Sequence, residues 1–157
     1  MMNDDNNGGG RDSEDILKEQ AERYYRMALL SAKGHDLTAA AAYARYSCSL
    51  CPGLDKAARL LDLCLGELGD TEDIRDTLAE IRSFMQIRLW RKAARAAGEI
   101  PRQSVRVLNI QGCIYAGEKR YEAAAGFFAK ALGKDYHNRL AMEGLAETTG
   151  CLKGLTL

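Results

Sequence analysis

An all-α fold, built as an array of antiparallel helix pairs in one domain, is the expectation for this chain of 157 residues, and three features predict it. From about residue 13 onward, apolar residues recur at spacings of three and four, the stripe that an amphipathic helix buries. No alternating run of β-branched and aromatic residues bounded by turn signals occurs, so strands are not expected. The two prolines, Pro52 and Pro101, fall between alanine- and leucine-rich stretches, where they end or separate helices. A hydrophobic content of 46% supplies the core that one domain of this length needs.

Residues 1–12 are polar and acidic and contain three successive glycines. They bury too little apolar surface to offset the entropy of ordering, and a disordered leader is expected there. The first helix is placed at 13–33: Asp12 or Ser13 serves as N-cap, Glu14 and Asp15 complement the helix dipole, and "KGHD" around Gly34 ends it. The second, 36–51, stops at Pro52, and the third, 55–68, at "GELGDT" around Gly69. Next come 72–86 and 89–99, a weak division. Ile74, Leu78, Ile81, Met85, Leu89, Ala93 and Ile100 continue at near-helical spacing with no glycine or proline between them, so one helix over 72–99 is the alternative. Pro101 separates these from 103–117, which runs to "AGEK" around Gly117. Helix 120–132 ends at "GKDYHN" around Gly133, and 137–150 is the last.

The lysines and arginines equal the aspartates and glutamates at 22 each, which argues against a dedicated nucleic-acid binder and moves attention to how the charges are distributed. The amino terminus lacks a basic start followed by an apolar run, and no segment approaches 18 consecutive apolar residues. A cytoplasmic protein without a transmembrane segment is expected. Five cysteines, an odd number without framework spacing, are expected to be reduced.

Internal repetition organises the chain. The segment 105–138, "VRVLNIQGCIYAGEKRYEAAAGFFAKALGKDYHN", carries Leu108, Gly112, Tyr115, Ala124, Phe128 and Ala131 at the positions where a 34-residue helix-pair unit alternates large, small and aromatic residues. It resembles a tetratricopeptide repeat. Small residues at Gly112 and Ala124 allow the two backbones to approach, and Tyr115 and Phe128 fill the volume beside the contact. A second unit, 21–54, falls in the same register 84 residues earlier with Tyr24, Ala28, Ala40, Ser47 and Pro52, departing from the pattern at Ser31 and Ala44. "WRKAARAAGEIP", 90–101, resembles a second repeat helix, with Trp90 and Ala93 in the places of Tyr121 and Ala124; residues 139–150 resemble the first helix of an incomplete unit. Two units plus about one extra helix account for the offset, so the repeats are irregular in the middle.

The resemblance implies a right-handed superhelix of about seven or eight helices and a non-enzymatic adaptor that holds a peptide or helix of another protein in its concave groove. Carried over by position, the groove residues are Glu22, Tyr25 and Leu29 in the first unit, Arg106, Asn109 and Cys113 in the later one, and Glu143 in the last helix. Tyr25 and Leu29 would give apolar contact, Asn109 would bond an extended backbone and Arg106 would pair with an acidic group. The lysine–asparagine–arginine carboxylate clamp of the family's chaperone adaptors is not reproduced, because Tyr25 and Leu29 stand at its first-unit positions.

No catalytic, cofactor or metal constellation is expected. Cys48 and Cys51 form a C-x-x-C placed at the end of a helix, where the dipole disfavours a thiolate, with no second pair or histidine pair to complete a zinc site. "GCIYAGEK", 112–119, has Glu118 where a phosphate-binding loop requires lysine. His35 and His137 lie near helix breaks with no evident nucleophile. Tyr24, Tyr43 and Tyr46 are expected in the first hairpin's core and rim. Arg88, Arg91, Lys92 and Arg95 lie along one helical face beside Trp90, with Arg102 and Arg106 following. This stripe makes a binder of nucleic acid or an anionic surface the alternative function, nucleic acid being disfavoured by the net charge, unless the acidic first 22 residues fold back on it. Self-assembly through an uncovered terminal helix is the third reading.

Overall fold

The computed structural model describes residues 12–155. Among these residues the chain forms eight α-helices and no strand: α1 (Ser13–Lys33), α2 (Leu37–Leu50), α3 (Asp55–Leu68), α4 (Arg75–Gln86), α5 (Trp90–Gly98), α6 (Val105–Gly117), α7 (Tyr121–Lys134) and α8 (Arg139–Leu155). A 3-10 turn, Glu72–Ile74, leads into α4. The expected leader lies outside the described residues except for Asp12, the N-cap of α1, whose side chain caps nothing. No described helix is long and apolar enough to cross a membrane.

Most boundaries fall within two residues of expectation; the exceptions are α4, which begins at Arg75 after the 3-10 turn and not at 72, and α8, which runs five residues beyond 150. Helices α7 and α8 continue through Gly133 and Gly150 to Lys134 and Leu155. Both glycines face open space, so only helix propensity is lost there, about 1 kcal/mol each, and the hydrogen-bond ladder survives. The stretch 72–99 is two helices, broken at Arg88.

Three hairpin turns share one geometry, each with a residue other than glycine at the left-handed position. His35, Arg88 and Lys119 take φ of 59°, 60° and 61°. Each following residue then donates its N–H to the carbonyl five back: Asp36 to Ser31 at 2.9 Å, Leu89 to Phe84 at 2.8 Å and Arg120 to Tyr115 at 2.9 Å. This left-handed cap satisfies the last carbonyls of α1, α4 and α6 and reverses the chain into α2, α5 and α7. The ends of α2 and α7 also match, Cys51 at φ −140°, ψ 90° and Asp135 at −141°, 91°. Turn and cap geometry therefore recurs at an offset of 84 residues, His35 with Lys119 and Cys51 with Asp135, which sets α1–α2–α3 beside α6–α7–α8 as two three-helix units of the same order.

Consecutive helices pack against each other from α1 to α3 and from α4 to α8, but α3 and α4 do not lie side by side. The α4–α5 hairpin joins the second group through Leu78, Ile81, Ala93, Ala97 and Ile100, which pack on Val107, Ile110 and Ile114 of α6. The first unit instead meets the second end-on. Leu37 and Leu68 rest on Val105, Leu108, Ala131 and Ala141, and the Tyr136 N–H donates to the His35 carbonyl at 2.9 Å. Beside them the fully buried Asp135 carboxylate accepts from Thr38 Oγ1 at 2.7 Å and from Asn138 Nδ2 at 3.5 Å. His137 Nδ1 and Asp36 Oδ2 stand 2.9 Å apart on the surface, and Lys134 pairs with Glu67 at 3.1 Å. The exposed pairs each contribute at most about 1 kcal/mol, so the leucines and the buried carboxylate hold this junction.

Phe128 shows how volume is divided within a unit. A Cβ on Gly112 would lie 2.6 Å from its ring and one on Gly144 2.5 Å, so the ring occupies the space two missing side chains leave. At the equivalent positions the first unit has Ala44 for Phe128, and Ala28 and Leu60 for the two glycines. The bulk that α7 supplies at Phe128 in the second unit thus stands in the sequence on α3, at Leu60, in the first.

Two outcomes follow for urea denaturation. Phe128→Ala is expected to lower stability by about 3–5 kcal/mol, and adding Gly144→Leu, which copies the first unit's arrangement, to restore part of it. Thr38→Val strips a donor from the buried Asp135 carboxylate and is expected to cost about 1.5–3 kcal/mol.

Candidate functional site

The sequence places seven groove residues on three helices, and the structure divides them between two troughs. Glu22, Tyr25 and Leu29 lie on α1 facing α3. There Lys56 reaches across, pairing with Glu22 at 2.7 Å and setting its ammonium 4.9 Å from the centre of the Tyr25 ring. The α1–α3 trough is thus occupied by the protein's own lysine. A volume of 690 Å³ along the outer side of α1 is lined by that helix alone and has no opposing wall among the described residues.

The equivalent trough between α6 and α8 has Leu140 where the first has Lys56, and it is open. Two adjoining cavities share Leu140. One, of 320 Å³, has Phe128 and Tyr121 among its lining residues, along with Cys113, Glu143, Glu147 and Cys151. The other, of 380 Å³, lies where α3 and α4 diverge: Arg82 of α4, Arg106, Asn109 and Ile110 of α6, and Asn138 and Leu140 of the α8 end form its walls, and Leu68 and Asp70 close it at the end of α3. Arg106, Asn109, Cys113 and Glu143 are therefore brought onto one continuous surface, while Glu22, Tyr25 and Leu29 are apart from it.

Asn109 departs from the expected free groove side chain. It is 3% exposed, and its Nδ2 donates to Asn138 Oδ1 at 2.9 Å. Asn138 is held from two sides: its Oδ1 caps α8 by accepting from the Ala141 N–H at 3.0 Å, and its Nδ2 faces the Asp135 carboxylate, which can only accept. That chain of donors and acceptors orients Asn109 with its amide nitrogen inward, and its Oδ1 is left buried with no donor among the described residues. An orphaned buried acceptor costs about 1–3 kcal/mol. At the rim, Arg106 is only loosely held, 3.8 Å from Asp70 with both side chains half exposed, so its guanidinium remains available to another anion. Arg82, Asn138 and Leu140 were not foreseen; Asn138 had a readable N-cap signal, but Arg82 reaches the cleft only through the docking of α4.

The remaining candidates are dispersed. Cys48 lies in the last turn of α2 and Cys51 at its C-cap, both against Ala21, Leu54 and Ala57. Among the described residues no group of three histidine, cysteine or acidic side chains could hold a metal. Burial pushes the thiols of Cys48, Cys64 and Cys113 up, helped by Asp62 at Cys48 and by Glu147 at Cys113. Tyr24 packs edge-on against Tyr46 at 4.5 Å, and Ser47 donates to the Ala21 carbonyl at 2.7 Å across the first hairpin. Arg88 in the α4–α5 turn, Arg91 and Lys92 in the first turn of α5 and Arg95 in its last are all exposed.

No family model matches the chain, and no curated protein matches it.

A raised thiol pKa means less thiolate at a given pH and slower alkylation. With iodoacetamide near pH 8, peptide mass mapping is expected to show the exposed Cys151 modified well before Cys64 and Cys113, whose rates keep climbing as the pH is raised past 9, the ordinary thiol value.

Proposed function

We propose that the protein is a non-enzymatic interaction module that holds an extended segment of another protein in the cleft between α4, α6 and α8, on a right-handed scaffold of tetratricopeptide-like helix hairpins. The observation that carries this reading is Asn109, which lines a 380 Å³ cleft together with Arg82 and Arg106 and whose buried carbonyl has no donor among the described residues. A peptide N–H supplies the missing donor after a small displacement of neighbouring side chains, and an acidic group of the same segment meets the guanidinium groups. The adjoining apolar cavity over Phe128 extends the track along α8. All five cysteines are unpaired, which fits work in the cytoplasm.

The reading separates the two troughs. Against an array of extended peptides, those carrying aspartate or glutamate are expected to be retained. Arg106→Ala is expected to weaken them about tenfold or more while barely changing the melting temperature, since its ion pair with Asp70 is exposed. Tyr25→Ala, in the trough that Lys56 fills, leaves affinity unchanged. Selection that ignores acidic residues, or affinity lost in Tyr25→Ala but not Arg106→Ala, would sink the assignment.

A further inference from the structure

The α4–α5 turn combines two properties that nothing in the cleft uses. Residues 83–98 contain Arg88, Arg91, Lys92 and Arg95 and no acid at all, in a chain whose total charge is zero. Two basic residues, Arg91 and Lys92, stand in the first turn of α5, which has no acidic residue to complement the helix dipole and no side-chain cap. Within this cationic surface, Ile87 is 66% exposed and Leu89 40%, on either side of Arg88, whose left-handed backbone makes the turn. A 320 Å³ hollow lined by Arg88, Leu89, Trp90, Arg91 and Lys92 has Glu118 as its one acidic lining residue.

The tip is also anchored. The Trp90 ring lies over Gly117, where a Cβ would collide with it, so the α4–α5 turn is pinned beside the α6–α7 turn and its exposed Lys119. Arg120, on that second turn, stacks 4.8 Å from the centre of the Tyr115 ring. A fixed cationic surface tipped with two aliphatic side chains is complementary to one kind of partner.

We infer that the α4–α5 turn is a docking surface for an anionic lipid bilayer, with Arg88, Arg91, Lys92 and Arg95 at the headgroup phosphates and Ile87 and Leu89 entering the acyl boundary. Charge complementarity requires an anionic partner. The aliphatic pair decides between anionic partners: a bilayer takes Ile87 and Leu89 out of water, whereas a nucleic-acid strand gives them nothing, and the ring best suited to stack on a base is committed to Gly117.

The test uses the full chain with vesicles of equal parts phosphatidylglycerol and phosphatidylcholine, and vesicles of phosphatidylcholine alone. Trp90 is the one tryptophan in the sequence, so its emission reports on the surface directly. Sedimentation with the anionic vesicles, a blue shift of Trp90 emission and release by added salt are expected, with no binding to the neutral vesicles. Arg91→Gln with Arg95→Gln is expected to weaken binding about thirtyfold. Ile87→Ser with Leu89→Ser, both at exposed positions and checked for unchanged helicity, is expected to abolish the blue shift and most of the binding. The inference is overturned if anionic and neutral vesicles bind alike, if the serine variant binds as the parent does, or if RNA competes the vesicles off through Arg91 and Arg95 with no contribution from Ile87 and Leu89. Loss of peptide binding in Arg106→Ala bears on the cleft alone and leaves this surface untouched.

Discussion

Asp135 is the residue on which the arrangement of the two halves depends. Its carboxylate is fully buried, and it is satisfied by the Thr38 hydroxyl from one three-helix unit and by the Asn138 amide from the other. Burying such a group without donors costs several kcal/mol, so the junction is favourable only in the one geometry that brings Thr38 to it. The equivalent residue at the end of α2 is Cys51, a half-buried thiol that imposes no comparable demand. One position in an otherwise repeated backbone thus makes the second unit, and not the first, the acceptor of an end-on neighbour.

The same carboxylate reaches into the cleft. Because Asp135 only accepts, Asn138 turns its nitrogen toward it and its oxygen toward α8 and Asn109; Asn109 in turn gives its nitrogen and keeps an unpaired oxygen. The polarity of a side chain in the cleft wall is therefore set at the junction between units. The cleft itself exists because α3 and α4 part company: side-by-side stacking there would cover α6, whereas end-on docking leaves Arg82, Arg106 and Asn109 around an open volume closed by Leu68 and Asp70.

Much of the fold was legible in the sequence, and the reasons are local. Every helix was recognisable from apolar spacing, and the 84-residue correspondence from Ala28, Ala40, Gly112, Ala124 and Phe128, because small residues at a helix crossing leave a readable pattern. The Arg88 break was not decided by it, since His35, Arg88 and Lys119 share a backbone conformation but no chemistry, and nothing in their side chains announces a left-handed cap. Glycine was a poor guide for the converse reason: Gly133 looks like a stop, yet an exposed helical glycine loses only propensity.

The site was half legible. Helical spacing aligns Arg106, Asn109 and Cys113 on α6, and the structure sets them with Glu143 of α8 along two adjoining cavities. Spacing could not show that Lys56 fills the first trough, that Asn109 spends its nitrogen on Asn138, or that Arg82 joins the cleft. By itself the amino-acid sequence determined helix content, pairing of neighbours and the concentration of positive charge at 82–95, all of which depend on residues within a few turns of each other. Tertiary structure alone decided which trough is open and that Asn109 Oδ1 lacks a partner, because these depend on where Asp135 finds Thr38, 97 positions away along the chain.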